Sequence, residues 1–262
     1  MNLSNFFVRG FDSGVATPTQ ARRRWRPLAW TTAALRRALP QACALCTAAC
    51  GQRLLCPDCT RAMPVPIAPC TQCALPSIRG AICGACLARP PPFAGTVAAW
   101  SYVFPVDCLM QAFKYGRRLA LAEPLADALA RSVCAAGAAR PDAVVALPLT
   151  RGREAERGFN QAHEIARRVA AAVGVPQIHG LLRPRDAPPQ ASLAIGERAR
   201  NVRNAFVATS EIAGRRVALV DDVMTTGATL RDAARALRQA GAVEVCAWVV
   251  ARTPSPGDVP MT

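Results

Sequence analysis

Apolar positions change their spacing near residue 93. Beyond it, short unbroken apolar runs alternate with longer stretches in which Ala and Leu recur at helical intervals. TVAAWSYVF at 96–104, DAVVAL at 142–147, QIHGLL at 177–182, RVALV at 216–220 and VEVCAWVV at 243–250 read as strands. Between them, 119–136 predicts a helix interrupted near Pro124, Asn160 predicts the cap of a helix running to 172, and 229–240 predicts a helix ended by Gly241. Strands alternating with helices predict an α/β fold: a mainly parallel sheet with helices on both faces. Ligands of such sheets bind beyond the carboxyl ends of the strands.

The preceding residues show no such alternation and are organised by cysteine instead. Nine of the twelve cysteines fall between 43 and 86, and eight of them form CALC, CPDC, CTQC and CGAC. The set Cys43, Cys46, Cys56, Cys59 recurs 27 positions later as Cys70, Cys73, Cys83, Cys86. A CxxC turn brings two thiolates to one zinc ion and two turns complete a tetrahedron, so the count predicts two sites. Sequential ribbons, and a cross-braced arrangement joining first with third and second with fourth pairs, both satisfy the spacing. Sites closed by four thiolates leave no position for water and read as structural. No βαβ context supports a redox role for the pairs. Cys50, Cys108, Cys134 and Cys246 lack partners at ligand spacing. Prolines at 64–69 and 89–92 punctuate the two repeats. The expected organisation is an Arg-rich leader at 1–38, a cysteine-rich unit at 39–92, an α/β domain at 93–253 and a tail at 254–262.

Charge adds a partner class. The net +15 divides into +9 on residues 1–100 and +6 on the rest, and only Lys114 breaks a set of 31 Arg. Such an excess favours nucleic acid or phosphorylated metabolites without specifying either, and a solvated Arg-rich surface is the plainer account. The zinc unit, with Arg53, Arg61, Arg79 and Arg89, can grip phosphates but shows no base-reading signature. No signal peptide and no run of ~20 apolar residues is apparent, so a cytoplasmic protein with reduced thiols is expected.

The sharpest chemistry lies in VALVDDVMTTGATL at 217–230. An apolar strand ending at Val220 puts Asp221 and Asp222 at the sheet's edge, with Met224, Thr225, Thr226, Gly227, Ala228 and Thr229 turning into a helix. Free amides at a helix start form an anion cradle, which small side chains leave open and Thr hydroxyls supplement. Carboxylates next to a phosphate must face something else, and sugar hydroxyls fit. The bland alternative, a helix cap after an ordinary turn, does not explain the whole succession. A sugar phosphate is the predicted ligand.

The same stretch resembles the phosphoribosyl pyrophosphate (PRPP) signature of type I phosphoribosyltransferases. With RGREAERGFNQAHEIA at 151–166, AFKYGRR at 112–118 and LLRPRDAPPQASLAIGERARNVRNAF at 181–206, the chain is similar over about 39–252 to the ComF family. That resemblance implies a type I phosphoribosyltransferase-like sheet preceded by a double zinc ribbon, and an association with DNA uptake and use of external DNA. It assigns Asp221 and Asp222 to ribose hydroxyls, Met224–Thr229 to the 5′-phosphate, and the loop from Pro148 to the pyrophosphate, with magnesium. Arg151, Arg153 and Arg157 in that loop have donor forks suited to multiply charged oxygens, though a solvated loop would carry them equally. Lys114 is a further candidate for PRPP. Residues 183–206 read as a lid, with Arg183, Arg185 and Arg203 available to reach in. His163 and His179 lack acid or nucleophile partners and are expected to be packing or surface residues. Three functions follow: a magnesium-dependent phosphoribosyltransferase of DNA uptake, a PRPP sensor contacting single-stranded DNA or a competence helicase, and a nucleobase-salvage enzyme. No base-reading residues favour the third.

Overall fold

The alternation beyond residue 93 closes into a five-stranded parallel sheet. The computed structural model describes residues 41–116, 118–137, 139–184 and 205–255; the leader, Arg185, Arg203 and most of the tail lie outside them. In chain order the elements are α1 (Pro57–Arg61), α2 (Gly84–Ala88), β1 (Thr96–Ser101), α3 (Val106–Lys114), α4 (Ala122–Ala135), β2 (Ala143–Ala146), α5 (Arg151–Arg157), α6 (Gln161–Val173), β3 (Gln177–Ile178), β4 (Leu181–Leu182), β5 (Val207–Ala208), β6 (Arg216–Met224), α7 (Ala228–Gln239) and β7 (Glu244–Arg252). The sheet order is β1-β7-β6-β2-β3, and β4 pairs antiparallel with β5 in a small separate ribbon.

Strand alternation sorts the core into two layers. Val144, Ala218, Val220, Trp248 and Val250 face α3, α4 and α6; Val145, Val217, Leu219, Val245, Ala247 and Val249 face α7. Each layer also takes one cysteine quartet: Cys43 and Cys56 pack in the first, Cys70, Cys73 and Cys86 in the second. The cysteine-rich segment therefore straddles β1, an edge strand. Its backbone caps that edge, since the Thr96 amide donates to Thr71 O at 3.0 Å and the Ser101 amide to Pro64 O at 2.7 Å. An uncapped edge would offer those groups to another chain.

Several expected boundaries move. Pro124 does not interrupt a helix, because it sits in the first turn of α4, where amides have no intrahelical partner. The first strand stops at Ser101, and Val106, Leu109, Met110 and Phe113, at helical spacing, bury one face of α3. The expected strand at 177–182 divides into β3 and β4 around Gly180, where a Cβ would fall 2.3 Å from Ile212 Cδ1. Residues 151–157 form a helix rather than a loop, capped by Thr150, whose hydroxyl accepts from the Arg153 amide.

The change that matters most is at β6. It runs to Met224 instead of ending at Val220, because β7 continues alongside it to pair Met224 with Arg252. On its other flank, β2 ends at Ala146 opposite Val220. Beyond that point β6 loses one neighbour, and a hollow opens at the step.

Candidate functional site

That hollow has a volume of ≈ 400 Å³, within the usual range for small-molecule sites. Its floor is the end of β6, with Asp221 and Asp222; its walls come from α3 (Lys114), from α5 and α6 (Arg153, Arg157, Asn160, Gln161) and from the start of α7 (Ala228, Thr229, Asp232). Arg183, Ala205 and Phe206 close the side next to β4 and β5. Two other hollows, ≈ 400 and ≈ 590 Å³, lie against the cysteine-rich segment and lack an acidic pair at a strand end. Chemistry, not size, distinguishes the site at β6.

Strand alternation turns Asp222 toward α3, where the last residue of that helix meets it: Lys114 Nζ lies 3.1 Å from Asp222 Oδ1, with side chains only 17% and 10% exposed. The Asp222 amide donates to Asp221 Oδ1 at 2.8 Å. Burial pushes the Asp221 carboxyl up to about 8; the charge of Asp222 adds to the rise, while the Asp222 amide, Lys114 and Arg157 oppose it. Two enclosed acids side by side favour keeping one proton unless a ligand replaces the lost solvation. Arg157 stacks 5.5 Å above the Tyr115 ring and donates to Gln161 Oε1 at 3.1 Å, and Arg183 lies 5.1 Å over Phe206.

After β6 the chain turns into α7 through a single glycine. Gly227 is left-handed at φ 75° and begins α7, and a Cβ there would lie 2.5 Å from Met224 Cε. The Ala228 amide donates to Thr226 Oγ1 at 3.3 Å, whereas the amides of Thr225, Thr226 and Gly227 find no protein acceptor among the described residues. Free amides beside a helix start attract a dianion.

The thiols form two separate groups, Cys43, Cys46, Cys56, Cys59 and Cys70, Cys73, Cys83, Cys86, each with sulfurs within 4.8 Å of one another. Ligation is thus sequential, and the cross-braced alternative is removed. In each group the second and third sulfurs lie 3.7 Å apart, against about 3.8 Å for a tetrahedron with zinc–sulfur bonds of 2.3 Å. Amide donors tune the group: the Cys56 amide donates to Cys43 Sγ at 3.4 Å and the Cys83 amide to Cys70 Sγ at 3.3 Å. Burial pushes Cys43 up, but the Cys46, Cys56 and Leu45 amides outweigh it and bring the thiol down to about 6. Cys70 reaches about 7 in the same way. Cys59 is pushed up to about 12, chiefly by its bonds to Cys46 and Cys56. A nest already part-ionised, with all four sulfurs converging, fits structural zinc.

Of the residues expected at the sugar-phosphate site, the structure gathers Asp221, Asp222, Thr226, Ala228, Thr229, Lys114, Arg153 and Arg157 around one hollow. Gly227 shapes the turn. Met224 instead packs in the core, and Thr225 and Arg151 are exposed and outside the lining. His163 and His179 stack on each other with centroids 5.4 Å apart and do not line the hollow. Asp232 was missed. It is the one acid on the buried stripe of α7 formed with Leu230, Ala233, Ala234 and Leu237, and its Oδ2, like Gln161 Nε2, has no partner among the described residues. An acid at a core-facing helical position was the available signal.

A parallel sheet with paired acids at the end of β6 and an amide cradle opening α7 defines a type I phosphoribosyltransferase-like fold. The family model described as "Phosphoribosyl transferase domain" matches residues 122–261. "DNA utilization protein YhgH" of Escherichia coli (strain K12) is 33% identical over 223 residues, covering 82% of this chain and 98% of that protein. "Competence protein F" of Haemophilus influenzae is 33% identical over 178 residues, 65% of this chain and 78% of the other. A solved glutamine PRPP amidotransferase from B. subtilis is 27% identical over 49% of this chain and 25% of its own, with a TM-score of 0.37. The chain belongs to the ComF/YhgH family of phosphoribosyl transferase-domain proteins.

Proposed function

We propose that the chain binds PRPP with magnesium in the hollow at the end of β6 and transfers the phosphoribosyl group in the handling of external DNA. The observation that carries this reading is the juxtaposition, around one hollow, of Asp221, of Asp222 paired with Lys114, and of Thr226, Ala228 and Thr229 from the turn that opens α7. In it, the cradle and the hydroxyls of Thr226 and Thr229 hold the 5′-phosphate. Asp221 and Asp222 accept from the ribose hydroxyls. Arg153 and Arg157 face the diphosphate with charges that persist at any working pH. Transfer breaks the bond from the anomeric carbon to diphosphate, whose oxygen keeps the electron pair, while the acceptor's lone pair makes the new bond. Fixed cations aimed at the departing charge stabilise that change.

Magnesium is a hard cation that takes oxygen ligands, and Asp221 and Asp222 are the oxygen donors that fit it. When bound, it neutralises charge on the diphosphate. Here residues 39–92 are the zinc-bearing unit and 93–253 the transferase unit. The relatives' names and the net charge of +15 support a role near DNA, with single-stranded DNA and a competence helicase as the partners. Among the described residues no helix is long and apolar enough to cross a membrane.

Calorimetric titration with PRPP and magnesium tests the site. Binding by the native chain, abolished by Asp221→Asn with Asp222→Asn while zinc content is retained, is the expected result. Unchanged affinity in the double variant refutes the assignment. Pyrophosphate release, measured across nucleobases and single-stranded DNA, then identifies the acceptor class.

A further inference from the structure

Arg252 ends β7, and its side chain runs beneath the loop that follows β6. The residue is 6% exposed. A guanidinium stays charged, so burying one requires acceptors. Arg252 finds backbone carbonyls: Nε donates to Cys73 O at 2.8 Å, and Nη1 donates to Met224 O and Thr253 O at 2.9 Å each and to Thr225 O. No carboxylate pairs with it among the described residues. The Thr253 amide also donates to Met224 O at 3.0 Å.

Those acceptors join parts of the chain that are far apart in sequence. Cys73 belongs to the second thiol group, 179 positions before Arg252. Met224 and Thr225 form the hinge between β6 and the free amides of the cradle. A zinc ion with four thiolates bears a net double negative charge, so a fixed cation at its margin is also favourable. The first thiol group has a different setting, packed with Trp100 and the buried residues of α3 and α4 on the opposite face of the sheet.

We propose that Arg252 is a positioning residue that sets the backbone of Met224 and Thr225 against the second cysteine group, so that metal occupancy there governs how well the cradle is preorganised for phosphate. This rests on reading 225–229 as a phosphate cradle. The physical chain is short. Metal fixes the Cys73 turn, the Cys73 carbonyl fixes one edge of the guanidinium, and the other nitrogen holds the two carbonyls that aim the next three amides. Losing the metal frees the first link, and the amides must then be ordered at the ligand's expense.

A double-mutant cycle separates this role from a merely structural one. Arg252→Met, Cys86→Ser and the combination are compared with the native chain in two measurements: hydrogen exchange of the Thr253 and Arg231 amides, which are bonded to the loop's carbonyls, without ligand, and PRPP affinity with magnesium. Each single change is expected to accelerate exchange of the Thr253 and Arg231 amides, which donate to Met224 O and Gly227 O, and to weaken PRPP binding by about tenfold or more. The combination is expected to be no worse than the stronger single change. Arg252→Lys keeps the charge but loses the fork and is expected to fall between native and Met; it also decides the matter if the Met variant does not fold. Multiplying effects in the combined variant, or unaltered exchange of the Thr253 and Arg231 amides in the Lys and Ser variants, overturn the proposal. Because exchange is read on ligand-free protein, failure of the native chain to bind PRPP overturns the proposed function and leaves the cycle to judge the coupling.

Discussion

Ligand binding should drive a proton off Asp221. Burial and the neighbouring Asp222 hold its carboxyl at about 8 despite Lys114 and Arg157. A carboxylate, not a carboxylic acid, best accepts from sugar hydroxyls or faces a cation. A group titrating at about 8 is roughly nine-tenths protonated at pH 7, half at pH 8 and a tenth at pH 9, so binding should release those amounts of proton. Linkage converts them into affinity: the apparent Kd tightens about fivefold from pH 7 to 8 and about tenfold from pH 7 to 9. The ligand's phosphates titrate near 6 and are already ionised in this window. Calorimetry at pH 7, 8 and 9, repeated in buffers of different ionisation enthalpy, reads both quantities. Asp222→Asn removes the like charge, so the midpoint should move to lower pH and the gradient flatten. For the ligand-free protein the sign is opposite to that of a salt-bridged aspartate. Unfolded Asp221 ionises near 4 and folded Asp221 near 8, so stability declines as pH rises across that interval and levels above it. A native Kd that is flat from pH 7 to 9, with no proton released, refutes the reasoning.

Elemental analysis should find about two zinc ions per chain, and Cys43→Ser should leave about one; a native content of one contradicts the paired sequential sites. Gly227→Ala forces a left-handed Ala whose Cβ meets Met224 Cε at 2.5 Å. It should cost about 1–2 kcal/mol in conformation alone, visible as a lower Tm, and weaken PRPP binding by distorting the cradle. An equally stable variant with native affinity removes the need for glycine there.

Much of the α/β domain could be read because buried parallel strands are nearly continuous apolar runs, and those at 142–147, 216–220 and 243–250 stand out against Ala-rich helices. The acidic pair was legible for the same reason, since it breaks such a run. Its setting was not. Two adjacent aspartates look like the end of a strand, yet pairing with β7 carries β6 on to Met224. Helix α3 was hidden by following directly on a strand, although Val106, Leu109, Met110 and Phe113 carry the helical interval plainly. Cysteine spacing announced two metal sites and left their wiring open, which only the convergence of sulfurs resolves. Arg252 was illegible altogether: its partners are main-chain carbonyls, which every residue possesses, and nothing local indicates which of them folding will bring near.

The family model begins at residue 122, which leaves out β1 and α3 as well as the cysteine segment. Yet Lys114, at the end of α3, supplies the cation on Asp222, and Cys73 supplies the carbonyl that anchors Arg252. Lys114 reaches the hollow, and Cys73 the residue that holds the loop after β6, from outside the matched domain. The reason is mechanical. A short segment carrying two thiol groups has little core of its own, and metal compensates for it. Its buried cysteines complete their packing only against the sheet, one group on each face, and its backbone covers the edge of β1. An attachment that grips both faces of a sheet is held firmly enough to transmit position. That makes it suited to aiming the loop at the far side of β7, where a freely tethered metal module would have no purchase.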